Sequence, residues 1–255
     1  MIPTDKALRT QPTPRGRSHD DGVTTRRPTT GVLLTVLVGL VIAGCATAGG
    51  APETQNRAVG AVSAVDLATG GQLVVTGGAS PSLRITADSE VIDHLTSEVH
   101  GDRLTLAADG SVHDLGPVRY DLVLPSVHAV QLSGSGSVHV TGPNALRQVL
   151  LPGSGIVRVD GLSTEELTAD LSGSGQVTVA GSTTRQRISI GGSGRYSADG
   201  LASSDAAVTI SGSGSAQVTA SRTLTATITG SGTITLTGGA AVTSTVTGSG
   251  SVVRR

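Results

Sequence analysis

The chain has no tryptophan, no phenylalanine, two tyrosines and one cysteine among 255 residues. Each shortage excludes something. Few aromatic rings mean few platforms for stacking sugars or nucleic-acid bases. They also mean a narrow interior filled by Val, Leu, Ile and Ala. One cysteine cannot form an internal disulfide, and six scattered histidines without metal spacing do not complete a zinc site around it. The net charge is −1 and no basic stripe appears, so nucleic acid is not an expected partner. No phosphate loop is present, and no cofactor is expected. The longest apolar run, Gly31 to Ile42, is twelve residues, too short to span a bilayer as a helix.

Glycine, by contrast, is abundant and ordered. Seven Gly-Ser-Gly triplets stand at Gly134-Ser135-Gly136, Gly153-Ser154-Gly155, Gly173-Ser174-Gly175, Gly192-Ser193-Gly194, Gly212-Ser213-Gly214, Gly230-Ser231-Gly232 and Gly248-Ser249-Gly250. Their first glycines lie 19, 20, 19, 20, 18 and 18 residues apart. A fixed period of this length marks a stacked-repeat architecture.

The columns around the triplets carry the pattern. Two positions before them stand Leu132, Leu151, Leu171, Ile190, Ile210, Ile228 and Val246. Four after the first glycine stand Val138, Val157, Val177, Tyr196, Ala216, Ile234 and Val252. Six after it the column is apolar until Arg254. The column between these two is mostly polar, as in His139, Arg158, Thr178, Ser197, Gln217 and Thr235. This is the alternation of a strand with one buried face. Each repeat therefore holds at least two short strands, with glycine corners between them.

The expected fold is all-β: a β-solenoid (parallel β-helix) of about 18–20-residue coils with Gly-Ser-Gly corners, in one domain. Coils ~4.8 Å apart would make the seven repeats a rod of roughly 34 Å. The rival is an antiparallel sandwich of short strands, which would not require equivalent columns at a fixed period. Before the triplets, Val62 to Leu124 carries weaker strand patterns, expected to form the first coils and cap one end. Ser89 to Leu95 reads as a short helix with Ser89 as its N-cap.

The N-terminus reads as an address. Arg15, Arg17, Arg26 and Arg27 precede the apolar run, which ends in Ile42-Ala43-Gly44-Cys45. That tetrapeptide resembles the bacterial lipobox, in which the cysteine is lipidated and becomes the mature N-terminus. The expected organisation is a lipoprotein signal peptide over 1–44, the lipidated Cys45 with a flexible tether over 45–58, and the domain over 59–255. The protein would then sit lipid-anchored on the extracytoplasmic face of the bacterial cell membrane. The export route, Sec or twin-arginine, stays open.

The triplet columns resemble the head GIN domain family of adhesin-like proteins. The resemblance runs from about Val62 to Arg255. It includes Gln72-Leu73-Val74-Val75-Thr76-Gly77, Leu83-Arg84-Ile85-Thr86-Ala87-Asp88 and the strand-then-proline step Tyr120-Asp121-Leu122-Val123-Leu124-Pro125. It implies a β-solenoid-like fold and a secreted or surface-anchored life. The family often places Asp directly after the triplet. Here those positions are Ser137, Ile156, Gln176, Arg195, Ser215, Thr233 and Ser251, so repeat-bound calcium is not expected.

Some solenoids degrade polysaccharides, using clustered carboxylates on one face. His139 and Arg158 share a column on successive coils, and Asp160 lies two residues on. Asp170 is expected one column away, and Glu165-Glu166 in a loop. Against catalysis, exposed ion pairs are ordinary on a solvated face, Tyr196 falls in an inward column, and the triplet serines recur as corners rather than standing alone. The rows Thr209, Thr227, Thr245 and Thr178, Thr235 are similar to ice-binding arrays, but Ser197 and Gln217 interrupt them.

Three functions remain: a non-enzymatic adhesin-like module binding a cell-envelope glycan or a protein, a scaffold associating edge to edge through solenoid ends, and a carbohydrate-active enzyme. The last coil offers only Val252-Val253-Arg254-Arg255. Its arginines act either as charged gatekeepers or beside a partner.

Overall fold

Alternating burial along the repeats settles the architecture. In the computed structural model, which describes residues 50–110 and 114–255, the chain builds a β-solenoid. The column two positions before the first six triplets is sealed, with Leu132, Leu151, Leu171, Ile190, Ile210 and Ile228 all buried. So are Val138, Val157, Val177, Tyr196, Ala216 and Ile234 after it. The residues read as a signal peptide, 1–44, and Cys45 lie outside the described residues.

The strands before the first triplet are β1 (Pro52–Arg57), β2 (Ala64–Leu67), β3 (Gln72–Gly77), β4 (Ser82–Asp88), β5 (Leu95–His100), β6 (Arg103–Ala108), β7 (Arg119–Leu124) and β8 (Ala129–Leu132). From the first triplet onward come β9 (Ser137–Thr141), β10 (Gln148–Leu151), β11 (Ile156–Leu171), β12 (Gln176–Ile190) and β13 (Arg195–Gly212). The last are β14 (Ser215–Thr219), β15 (Thr223–Gly230), β16 (Thr233–Thr237), β17 (Ala241–Gly248) and β18 (Ser251–Arg254).

Two parallel stacks result, one on each side of the corners. Before the corners, β6, β2, β8, β10, β11, β12, β13, β15 and β17 pair in that order. After the corners, β7, β3, β9, β11, β12, β13, β14, β16 and β18 do the same. Long strands β11, β12 and β13 belong to both stacks. The coil order is not the chain order, because the β2–β3 layer lies between the β6–β7 and β8–β9 layers.

The corners are close-packed backbone. A Cβ on Gly212, Gly230 or Gly248 would stand 2.5–2.6 Å from the carbonyl oxygen of the matching glycine one coil earlier. Those three glycines also hold φ of 141°, 125° and 115°, which side-chain-bearing residues rarely adopt. The first triplet stacks on Thr69-Gly70-Gly71, with Thr69 and Gly71 carbonyls under Gly134 and Gly136. This earlier segment is a degenerate corner without the triplet spelling.

One interior column carries a polar exception. Gln186 replaces the leucine that stands at Leu167 and Leu224 in the same column. It is 1% exposed, and its polar atoms are spoken for. The amide donates to Ser203 Oγ at 2.8 Å and the Thr219 carbonyl at 3.2 Å, and it accepts from the Tyr196 hydroxyl at 3.2 Å. Burial pushes the Tyr196 phenol upward, so it stays a neutral donor.

The two ends differ. At one end β4 runs antiparallel to β7, β1 antiparallel to β4, and β5 antiparallel to β6. Arg57 reaches across this cap, donating to the carbonyls of Leu95 at 2.5 Å and Ile92 at 3.0 Å. While 45–49 lie outside the described residues, the tether read over 45–58 is thus corrected for its second half, where Pro52–Arg57 is a capping strand. Its side chains show no apolar alternation because its bonding is by backbone to an edge. The expected helix is also shorter, a 3-10 turn over Ile92–His94 preceded by Val91 rather than by a Ser89 cap. At the other end β17 is exposed along its whole length, with Val242 at 39% and Val246 at 42%.

Among the described residues, every strand and every core side chain falls within 52–254, so the fragment from Ala46 onward keeps all of them. Gly230→Ala should cost about 2–4 kcal/mol, combining positive-φ strain with backbone overlap. Gly239→Ala, with no atom within 4 Å of the new methyl, should leave the melting temperature nearly unchanged. Thermal unfolding of the two variants checks this, and equal melting temperatures would refute the close-packed corner.

Candidate functional site

Parallel in-register stacking lines up equivalent residues of successive coils, so chemistry on the outer faces comes in ladders. Two ladders carry charge. In the first, Arg158 lies beside His139 on adjacent coils, as the spacing predicts. Asp160 accepts from Arg158 Nε at 2.7 Å and Nη2 at 2.9 Å. His139 Nε2 lies 2.7 Å from the same carboxylate. The Arg158 hydrogen bond above all, and then that of His139, hold the Asp160 carboxyl below the usual carboxylate range. Asn144 clips the neighbouring turn by donating to the Asp160 carbonyl at 2.9 Å.

The other expected members are elsewhere. Asp170 pairs with Leu150 and Ser189 in the stack before the corners, whereas Asp160 belongs to the stack after them. The strand turns at Gly161, φ 75°, between the two. Asp170 is therefore not one column from the cluster. Glu165 and Glu166 are likewise not in a loop, because β11 continues unbroken through them.

Glu166 opens the second ladder. It neighbours Arg185 in register at 3.4 Å and accepts from Arg187 Nε at 2.5 Å. Arg185 in turn neighbours Asp205. Asp205 accepts from Arg222, with Nε at 2.8 Å, and from Thr223 Oγ1 at 2.6 Å. The Arg222 bond first, then the Thr223 hydroxyl, bring the Asp205 carboxyl down to about 2. Charges of opposite sign thus follow one another from coil to coil beside a shallow groove of about 290 Å³. Sequence reasoning missed this ladder, although 166, 185 and 205 keep the repeat period.

The remaining outer columns are uncharged over much of their length. Thr178, Ser197, Gln217 and Thr235 form one row, and Ser189, Thr209, Thr227 and Thr245 another on the opposite stack. Both tyrosines are fully buried, so neither offers a ring face to a ligand. The seven triplet serines are exposed at the corners. Among the described residues, no three His, Cys, Asp or Glu side chains converge as a metal site. No helix of these residues is long and apolar enough to cross a membrane.

Comparison with known proteins gives one family. Residues 62–240 match the family described as "Putative auto-transporter adhesin, head GIN domain". Among solved structures, a "putative adhesin" from Bacteroides fragilis superposes with a TM-score of 0.76 at 19% identity, covering 80% of this chain and 97% of its own. A "putative lipid binding protein" from Parabacteroides distasonis gives 0.65 at 21% identity, over 80% and 96%. A "putative adhesin" from Parabacteroides merdae gives 0.62 at 24% identity, over 80% and 96%. At these identities the likeness is one of fold. No curated protein matches the chain.

The depressed Asp160 carboxyl has a pH signature. A carboxyl whose folded pKa lies below its unfolded value stabilises the fold above about pH 4, and that contribution is lost as pH falls through the folded value. With Asp160 about a third exposed, the contribution should stay below about 1 kcal/mol. Asp160→Asn should therefore melt slightly lower than the parent at pH 6, and the gap should close near pH 2. A gap that persists in acid would show that the pairing is not the source.

Proposed function

The chain belongs to the head GIN domain family of auto-transporter-adhesin type, and from that membership we propose that it is a non-enzymatic binding module displayed outside the cell. Lipid on Cys45 would hold it to the extracytoplasmic face of the membrane. The observation that carries the reading is the pair of ordered polar rows on the outer faces. Their hydroxyl and amide groups recur every ~4.8 Å across coils and about 7 Å along a strand. A ligand with its own repeat, above all a cell-envelope glycan, can satisfy many such groups at once, each weakly.

The enzyme reading loses support on the same geometry. A general acid at neutral pH needs a carboxyl pKa raised toward 7. Asp160 is shifted the other way by Arg158, and its expected second carboxylate, Asp170, belongs to the other stack.

Co-sedimentation of the Ala46–Arg255 fragment with envelope glycan, with released sugar ends assayed in the same tubes, tests the reading. Binding without release is expected. Lysine at Gln217 or at Thr227 should weaken it on the order of tenfold on whichever face engages the ligand. Release of sugar ends would overturn the reading in favour of an enzyme.

The anchor has its own measurement. Full-length protein should fractionate with membranes and incorporate labelled fatty acid, and Cys45→Ala should abolish both. Membrane retention without label in that variant would refute lipidation at this cysteine.

A further inference from the structure

Among the described residues, the β17–β18 end of the solenoid is an unpaired double edge. There β17 bonds only to β15 and β18 only to β16. The Ala241 N–H donates to the Arg222 carbonyl at 2.9 Å, so Thr243, Thr245 and Thr247 also turn their backbone groups toward the stack. Val242, Ser244 and Val246 consequently point N–H and C=O outward. In β18 the Ser251 and Arg255 N–H groups bond to Gly232 and Leu236, which leaves Val252 and Arg254 pointing outward.

We propose that this end docks with the same end of a second copy of the chain. A two-fold axis through Ser244, perpendicular to the sheets, sets β17 antiparallel to its counterpart. Ser244 then faces Ser244 of the second copy and Val242 faces Val246. The outward groups of Val242, Ser244 and Val246 then find partners in a ladder of hydrogen-bonded pairs. The inward-column side chains Val242 and Val246, each about two-fifths exposed, meet their counterparts and continue the core across the joint.

Charge selects this arrangement over stacking head to tail. β17 carries no charged residue from Ala241 to Gly248. Antiparallel pairing of β18 sets Arg254 opposite Val252 of the second copy rather than opposite another arginine. Head-to-tail stacking instead places Arg254 in the column of Arg57, like charge on like. The capped end also defends its edges, with Pro52 and Glu53 on β1 and Glu98 and His100 on β5. The joint is therefore closed, giving a dimer and not a fibre.

Size agrees with a specific but modest contact. A coil end roughly 26 Å long and about 20 Å across covers on the order of 500 Å² per copy, near the lower bound for a biological interface. The docking itself stands independently, but its placement rests on the surface-module reading. Only residues 46–51 separate Cys45 from the capping strand, so a lipid-held domain would turn its open end away from the membrane. Paired ends would then join two opposing membranes.

Sedimentation velocity of the Ala46–Arg255 fragment should show a dimer that grows in with concentration. Ser244→Pro removes only an outward N–H, so it should raise the dissociation constant at least tenfold while leaving the melting temperature nearly unchanged. Val246→Lys should do the same, and Thr209→Lys on the outer face should not. A monomer at all concentrations, open-ended polymers, or a dimer indifferent to Ser244→Pro would overturn the proposal. A Cys45–Arg255 fragment coupled to vesicles through Cys45 should cluster them, and Ser244→Pro should prevent it. A dimer in solution that fails to cluster vesicles would overturn the membrane placement and spare the docking.

Discussion

Backbone packed directly on backbone at the glycine corners is the constraint on which the rest depends. The corner carbonyl of one coil occupies the space that a side chain of the next would need. That contact sets both the rise between coils and the angular position of each coil on its neighbour. Once these are set, residues of equal offset must stack, and an apolar column becomes continuous down the axis. The narrow core consists mainly of Val, Leu, Ile and Ala, with Tyr120 and Tyr196 as its two rings. The serine at the centre of each triplet is exposed and stands outside this contact.

Stacking also explains how the interior tolerates Gln186. A single amide in an apolar column would cost a few kcal/mol if left unpaired. Here the coil that follows brings Tyr196 and Ser203 to the amide, and the Thr219 carbonyl completes the set. The Tyr196 ring is followed in the same column on the next coil by Ala216, whose small side chain leaves room beside it.

The central coils were legible in the sequence because three signals repeat together there: the triplet, the apolar column before it and the alternation after it. Where one signal drops out, legibility fails for a physical reason. Thr69-Gly70-Gly71 performs the same turn, but both neighbours in its stack come from later in the chain, with other strands between, so no period announces it. Strand β1 is an edge held by backbone bonds, and its side chains Glu53, Thr54 and Gln55 need no apolar rhythm. Glu165 and Glu166 suggested a loop by polarity alone, yet they lie on the outer side of a continuous strand where polarity is expected. The cluster of His139, Arg158 and Asp160 was legible because it obeys the repeat. Asp170 was misplaced because the turn at Gly161 moves the chain to the other stack, a change of face that residue spacing does not record.

A solenoid separates what folds it from what it can recognise. The inward columns and the corners supply the stabilisation, and both are nearly invariant from coil to coil in chemistry. The outward columns bear on stability mainly through weak cross-strand pairs, each worth a fraction of a kcal/mol. Outer residues can therefore differ between coils, as His139, Arg158, Thr178, Ser197 and Gln217 do within one column, without disturbing the stack. The charged ladder from Glu166 to Arg222 and the uncharged rows beyond it are two such surfaces on one scaffold. Ends are the exception to this separation, because there the same backbone groups that build the stack become the surface. At the capped end antiparallel strands and charges consume them, and at β17 and β18 they remain in solution-facing register, so recognition at that end uses the folding interaction itself.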